Sequence, residues 1–501
     1  MLSSTFTPLP PCPKPFNLAD YVLAAGRLTP EKVALEVLSK DSVETWRYSQ
    51  IDGAVRCLAA ALLAQGFKPG DRLMMRLGNH PLFPITYLAA IFAGLIPAPT
   101  SAQLTLPEVT KLCETLEPSG IVTDGAVACP ETACPVVNVQ VLLEAAHEPL
   151  EAPHMCNPNA LAYIVFTSGT SGTPQAVMHA HRAIWARQSM HEDWYGLKKD
   201  DRMLHAGAFN WTFTLGTGLL DPWSVGARAL VLGHDADLGD LPALLAKHDA
   251  TIFAAAPGVY RKLLKDKVWP EMPKLKRALS AGEKLPSTLR DAWTKRTGVE
   301  ICEAYGMTEC STFLSDRPGS GSNPGLFVQR GRVARVHGAN ASQIGEIAVH
   351  RNDPGLMLGY WRDDARTKER FDGDWFLTGD QAIESAKGGL TLLGRSDDML
   401  NAGGFRVSPL EIEGAFESFD GVLEMAAVEL RVGVETTVIA AFYVSEKAID
   451  DVRLSEHAAK TLARYKQPRL YIHKETLPKG PNNKLLRKVL RTDYEAQNGQ
   501  A

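Results

Sequence analysis

The sequence has no CxxC pair among its eight cysteines, Cys12, Cys57, Cys113, Cys129, Cys134, Cys156, Cys302 and Cys310, and their spacings do not repeat. That scatter excludes a disulfide framework and a paired-ligand zinc site, and points to reduced thiols. A long apolar run is also missing. The strongest, around Leu88–Pro97, is interrupted by Gly94 and Pro97 and falls short of the ~18–20 residues of a membrane span, so it reads as a buried helix followed by a strand. The Pro-rich start, MLSSTFTPLPPCPKPFNLADY, has no basic segment leading into an apolar one. No secretory leader is therefore predicted, and a cytoplasmic location is expected. Nor does one sign of charge dominate: 53 Lys and Arg against 57 Asp and Glu give −4. This balance excludes the basic footprint of a dedicated nucleic-acid binder. Low-complexity tracts and repeats of solenoid period are absent.

What is present is an ordinary globular composition, 45% hydrophobic and 22% charged, which excludes disorder. At about 100–200 residues per domain, 501 residues predict roughly two to four folding units. LADYVLAAGRL and AVRCLAAALLAQG carry apolar residues at helical spacing and stop at Gly. Strand-like runs (DRLMMRL, GIVTD, LAYIVFTSG) then alternate with helical ones (TYLAAIFAG, AIWARQSMHEDWYG), the pattern of parallel α/β layers. RALVLG, LPALLAKHD, TIFAAAPG, GVYRKLLKD, KRALSAG and VEICEAYG form a second such round. From about Gly325 to Gly394 short β segments separated by Gly, Asp and Asn turns predict a small β-rich unit, and mixed β and α follow from about Ser396.

One segment stands out chemically. In Tyr163-Ile-Val-Phe-Thr-Ser-Gly-Thr-Ser-Gly-Thr-Pro-Gln175 an apolar strand runs into a loop of Gly, Ser and Thr, with a helical pattern from Arg182. Small residues let backbone N–H groups converge as an anion nest, and Thr167, Ser168, Thr170, Ser171 and Thr173 add hydroxyl donors. The loop lacks the Gly-Lys-Ser/Thr ending of a Walker loop. Taken alone it is equally a Ser/Gly-rich surface turn.

Further motifs follow in fixed order: Glu303-Ala-Tyr-Gly-Met-Thr-Glu309, Trp375-Phe-Leu-Thr-Gly-Asp380, Gly394-Arg-Ser-Asp-Asp-Met-Leu-Asn-Ala-Gly-Gly-Phe-Arg-Val-Ser-Pro-Leu-Glu-Ile-Glu413, and Leu477-Pro-Lys-Gly-Pro-Asn-Asn-Lys484-Leu-Leu-Arg487. Together they resemble the ANL superfamily of adenylate-forming enzymes, from about Phe16 to Arg491. The wording of GRSDDML…VSPLEIE, SAGEKLP and LARYKQPR most resembles the benzoate-CoA ligase branch and its medium-chain acyl-CoA synthetase relatives.

The resemblance implies an α/β fold: residues 1–395 as a large AMP-binding domain of two α/β subdomains plus a β-rich one, and 396–501 as a small mobile α+β domain. It implies a carboxylate attacking the α-phosphate of ATP, followed by thiol displacement of AMP, with Mg²⁺ as cofactor and CoA as co-substrate. Thr167, Ser168, Gly169, Thr170, Ser171 and Gly172 would cradle phosphates. Glu309 would hold Mg²⁺, a hard cation that prefers oxygen, and Thr308 would donate near the α-phosphate. Tyr305 and Gly306 would face one side of the adenine, and Gly282, Glu283 and Lys284 the other. Asp380 and Arg395 would bind the ribose. Lys484 would reach oxygens whose charge is redistributed in the transition state. Asp397 matches the hinge, Gly403 and Gly404 the close approach of the pantetheine arm, and Arg406 a cation for phosphates. Arg464–Arg491 holds nine Lys and Arg against one acid, Glu475, a run suited to ATP and CoA phosphates.

Three positions depart from the pattern. Gln175 stands where the loop usually carries Lys, Ala176 replaces a usual Gly, and Asn483 replaces the Gly before the final Lys. A catalytically impaired nucleotide-binding paralogue is therefore one alternative. His179 and His181 form an HxH pair without a third ligand at matching spacing and read as packing residues. For the acid pocket, the family places Phe209, Asn210, Trp211 and Phe213 along one wall, with Ala256 and Met307 nearby. Neutral Asn210 occupies the place of the Asp that pairs with an amino acid's ammonium, so an acid without an α-amino group is expected. The aromatics and the Ala254–Ala256 run favour an aromatic or medium-chain monocarboxylate. With no carrier module after residue 501, free CoA is expected over a carrier protein's thiol. A homodimer is left open.

Overall fold

All residues of the helix Leu82–Phe92 except Leu82 are buried, as befits a helix apolar on every face. It packs on the helix Tyr48–Ala64 and turns through Gly94 (φ +80°) into the buried strand Ile96–Pro99, as the sequence predicts for that stretch. The computed structural model describes the chain except residues 1–8, 146, 168–173, 234, 266–268, 318–324, 340–343, 397, 403–404, 433–436, 481–484 and 499–501; for 401, 402, 405 and 406 only the backbone is described.

Ile96–Pro99 belongs to a parallel four-stranded sheet in the order Ile96–Pro99, Arg72–Arg76, Gly120–Thr123, Val136–Asn138. A second sheet has nine strands. Its parallel centre runs Ile301–Met307, Arg277–Ala281, Ile252–Ala255, Arg202–His205, Arg228–Leu232, Val33–Leu38. Antiparallel strands flank it, Ser311–Ser315 on one side and Val43–Arg47 at the other edge. Strands covered on both faces read as continuous apolar runs, which is why Arg228–Leu232, Ile252–Ala255, Arg277–Ala281 and Ile301–Met307 were visible in the sequence. The early hairpin Val33–Arg47 was not foreseen, and it joins the second sheet across a gap of almost two hundred residues in sequence.

The Gly/Ser/Thr loop also differs from expectation. Leu161–Thr167 does not lead through it directly to a helix; the chain returns as the antiparallel strand Gln175–Ala180 before the short helix Arg182–Trp185. Beyond it, Ala334–His337, Ile344–His350, Phe371–Asp372, Trp375–Glu384 and Leu390–Arg395 form the antiparallel β-rich unit the sequence predicts. The C-terminal region pairs Glu424–Arg431 with Thr437–Val444, and Thr437–Val444 with Leu470–Lys474, beside the helices Pro409–Ala415, Asp451–Thr461 and Arg487–Asn498. Apolar clusters centred on Leu454 and Phe442 give it a core of its own. It meets the large body through Arg261 Nη1 on Glu424 Oε1 (3.1 Å), an oxygen that also accepts from Lys479 Nζ (2.9 Å), and through Ser287 Oγ on Glu417 (3.4 Å). The eight thiols are all free. Among the described residues no helix is long and apolar enough to cross a membrane.

Candidate active site

Parallel strands deliver whatever follows them to one edge of the sheet, and the crevice outside those carboxyl ends is where α/β folds bind ligands. Four adjacent strands, Arg202–His205, Ile252–Ala255, Arg277–Ala281 and Ile301–Met307, end there side by side. They present in turn the Phe209–Phe213 segment, Ala256, Gly282–Lys284 and Tyr305–Glu309. The sequence candidates thus converge although nearly a hundred residues separate the first from the last.

Tyr305 is half-buried, and its hydroxyl donates to Asp380 Oδ2 (2.6 Å). Burial, and then the nearby Asp380 carboxylate, push the Tyr305 pKa upward. Asp380 lies directly opposite Arg395 in the Trp375–Glu384/Leu390–Arg395 pair, with Arg395 Nη1 3.6 Å from its Oδ2. Gly282, at φ +96°, takes a backbone conformation that favours glycine. A Cβ there would lie 2.9 Å from the indole of Trp211, so this ring and the loop are in contact. Register places Ala281 opposite Ala304, which sets Gly282 beside Tyr305.

The turn after Ile301–Met307 is held from several sides. The carbonyl of Thr308 accepts His179 Nε2 (2.8 Å), and His179 stacks on Tyr163 with centroids 4.9 Å apart. Burial lowers the His179 pKa to about 4, so the ring is neutral and its one proton sits on the donating Nε2. Glu309 is buried, its Oε1 accepts from the Tyr360 hydroxyl (2.9 Å), and its carbonyl accepts from Met357 N (2.7 Å). Arg332, paired with buried Asp353, donates to the carbonyls of Cys310 and Thr312, both at 2.7 Å. A single carboxylate cannot enclose a metal, and among the described residues no group of three or more His, Cys, Asp or Glu could hold one. Glu309 fits the alternative: Mg²⁺ commonly takes one or two carboxylate oxygens and completes its shell with phosphates and water.

The acid-pocket candidates divide. Phe209 is in the core, stacked on Phe83 (5.6 Å) with its N–H on Asn79 Oδ1 (2.9 Å). Phe213 is buried between Trp194 and His205. Asn210, Trp211, Ala256 and Met307 are only partly covered and line the edge.

Thr167 pairs with Gln175 across the mouth of the loop. Ser168, Gly169, Thr170, Ser171, Gly172, Asp397, Gly403, Gly404, Asn483 and Lys484 lie outside the described residues, as does the side chain of Arg406. Ala176 is buried and its carbonyl accepts from Trp361 N (2.8 Å). His181 Nδ1 accepts from Leu18 N (3.1 Å), an interior packing role.

Sequence reasoning missed the acids beneath the Gly282 loop. Glu303 Oε1 accepts from Leu285 N (2.9 Å), and Arg290 reaches both Glu303 (3.4 Å) and Asp316 (2.9 Å). Burial raises Glu303 to about 7 and Asp316 to about 6, since one guanidinium serves both. It also missed Tyr360. Their only signal was position within or near a motif.

The model of one family, described as AMP-binding enzyme, matches residues 23–361. Acyl-coenzyme A synthetase ACSM3, mitochondrial, of Rattus norvegicus is 28% identical over 496 residues, covering 89% of this chain and 84% of that protein. The benzoate–CoA ligase of Thauera aromatica is 28% identical over 521 residues, covering 96% of each. The crystal structure of a benzoate CoA ligase from Burkholderia xenovorans LB400 superposes with a TM-score of 0.85 at 25% identity, covering 95% of this chain and 100% of that one. With a family model over most of its length and the family's fold throughout, the chain belongs to the AMP-binding enzymes.

Proposed function

We propose that this protein is an AMP-forming acid–CoA ligase: it joins a carboxylic acid to ATP as an acyl-adenylate, releases pyrophosphate, and passes the acyl group to the thiol of CoA. Kinship with acyl-CoA synthetases and a benzoate–CoA ligase over 84–96% of each protein supports the reaction class. The observation that carries the reading is that Tyr305, just before Thr308 and Glu309 at the edge of the nine-stranded sheet, meets Asp380 and its neighbour Arg395 from the β-rich unit. In this reading Asp380 accepts the ribose hydroxyls, and Tyr305 and the Gly282–Lys284 backbone enclose the adenine. The Thr308 hydroxyl donates to the α-phosphate or the attacking carboxylate. Tyr360 fixes one oxygen of Glu309 and leaves the other for Mg²⁺, which supplies charge neutralisation on the phosphates. Lys484 completes the neutralisation, so the protein's task is positioning and electrostatics.

The acid is an aromatic or medium-chain monocarboxylate. Trp211 and Met307 give the edge apolar surface, and Asn210 offers no negative charge for an ammonium group. A panel of benzoates and C4–C10 fatty acids with ATP and Mg²⁺, with and without CoA, tests the reading. AMP accumulating only with CoA is the expected result. Pyrophosphate exchange without thioester would indicate a carrier-protein thiol instead, and ATP binding without exchange for any acid would identify an inactive paralogue.

A further inference from the structure

Arg187 and Asp221 form a buried ion pair that no step above uses. Arg187 Nε donates to Asp221 Oδ1 (2.8 Å), Nη2 donates to Oδ2 and to Thr217 Oγ1 (3.1 Å), and the Tyr195 hydroxyl donates to Oδ2. Burial alone would raise Asp221, but the adjacent Arg187 charge holds it at about 2. The carboxylate is thereby saturated, yet the guanidinium keeps one arm turned elsewhere: Nη1 donates to Ser311 Oγ (2.6 Å).

Ser311 is two residues beyond Glu309 and has φ +57°, in the left-handed region that costs a non-glycine residue about 1–3 kcal/mol. It opens the strand Ser311–Ser315, whose pairing with Ile301–Met307 fixes the turn Thr308–Cys310. The fold also clears space for this arm. A Cβ on Gly216 would lie 2.6 Å from the guanidinium carbon of Arg187, and Gly216 lies in a π-helical turn, Thr214–Leu220, that continues from the Phe209–Phe213 segment. A π-turn interrupting regular helix is a recurrent mark of functional sites.

We propose that Arg187 is a positioning residue: by gripping Ser311 Oγ from a rigid Asp221–Thr217 base, it holds the strained turn that sets Thr308 and Glu309 for adenylation. This rests on the roles given above to Thr308 and Glu309. Arg187→Lys keeps the charge beside Asp221 but loses the planar fork that serves three partners at once. Ser311→Gly readily takes the same left-handed backbone conformation and removes the side chain that Arg187 grips.

Both variants are expected to lower the maximal rate of acid-dependent ATP–pyrophosphate exchange at least tenfold, with benzoate or the best acid of the panel. The KM for ATP should move less than threefold, as should thioester formation from that acid's supplied adenylate. Calorimetric ATP binding supplies a readout independent of turnover: the gain in affinity on replacing EDTA by Mg²⁺ should shrink in both. Equal losses in both half-reactions would mean a merely structural role and overturn the proposal, as would wild-type exchange in Ser311→Gly. Glu309→Gln separates the layers. If it abolishes exchange while Ser311→Gly is unaffected, the positioning role alone fails. If Glu309→Gln exchanges normally, the site reading fails and takes this proposal with it.

Discussion

At the scale of single residues, Gln175 is where the proposed phosphate-binding role of the Gly/Ser/Thr loop can be tested through charge. It stands opposite Thr167, where the strands flanking the loop part. A neutral amide brings no charge to that position, whereas a Lys ammonium would add a unit positive charge facing the phosphates. Gln175→Lys should therefore lower the KM for ATP in the exchange assay by about tenfold, equivalent to about 1.4 kcal/mol. An unchanged KM would mean that other cations already satisfy the phosphates. The nearness of Tyr305, Asp380 and Arg395 was legible in the sequence because each sits within a contiguous motif that the family resemblance brings to one site. Tyr360 and Arg187 were not, since their partners Glu309 and Ser311 lie 51 and 124 residues away and neither pairing has a local signature.

At the scale of elements, the hairpin Ile301–Met307/Ser311–Ser315 controls the site through one close approach. A Cβ on Gly306 would sit 2.4 Å from the backbone carbonyl oxygen of Ser311 and 2.6 Å from Thr312 Cα. Backbone atoms cannot swing aside as a flexible side chain can. Gly306→Ala should cost about 1–3 kcal/mol in urea unfolding. It should also reduce exchange by more than a hundredfold, because the forced shift falls on the turn bearing Thr308 and Glu309. Retention of full exchange would show that the turn tolerates displacement. The family resemblance expects this glycine beside the adenine; the structure gives an independent, steric reason for it. Periodicity revealed most of the central parallel strands and several of the helices because their burial is continuous or amphipathic, though not the strand Val33–Leu38. It failed at the Gln175–Ala180 strand, where apolar residues are interspersed with His179, and at the π-turn, whose small residues have no helical stripe.

For the molecule as a whole, Glu303 ties stability to pH. Its folded pKa, about 7, lies above the ordinary 4.5, so the fold binds this proton more tightly than the unfolded chain does. The contribution is fully present below about pH 4.5 and is lost as pH rises through 7, on the order of 3 kcal/mol in all. Glu303→Gln cannot ionise and still offers an oxygen to Leu285 N. Its Tm relative to the unaltered protein should therefore rise steadily from pH 5 to pH 8, and a pH-independent difference would place the proton elsewhere. The fold class could be read from the order of motifs and from the alternation of strand and helix. How the C-terminal region meets the body could not, because the charges involved, Arg261, Glu424 and Lys479, are surface residues by every sequence criterion.

That shared carboxylate has a kinetic meaning. Partly exposed ion pairs contribute from nothing to about 1 kcal/mol each, close to thermal energy. Glu424 moreover accepts from Lys479 of its own unit as well as from Arg261 of the body, so it would keep a partner if the two units separated. Letting go would leave Glu424 neutralised by Lys479 and return only the partly exposed Arg261 to water. On the reading of residues 396–501 as a mobile unit, a grip this slight would let it leave and return quickly within each turnover.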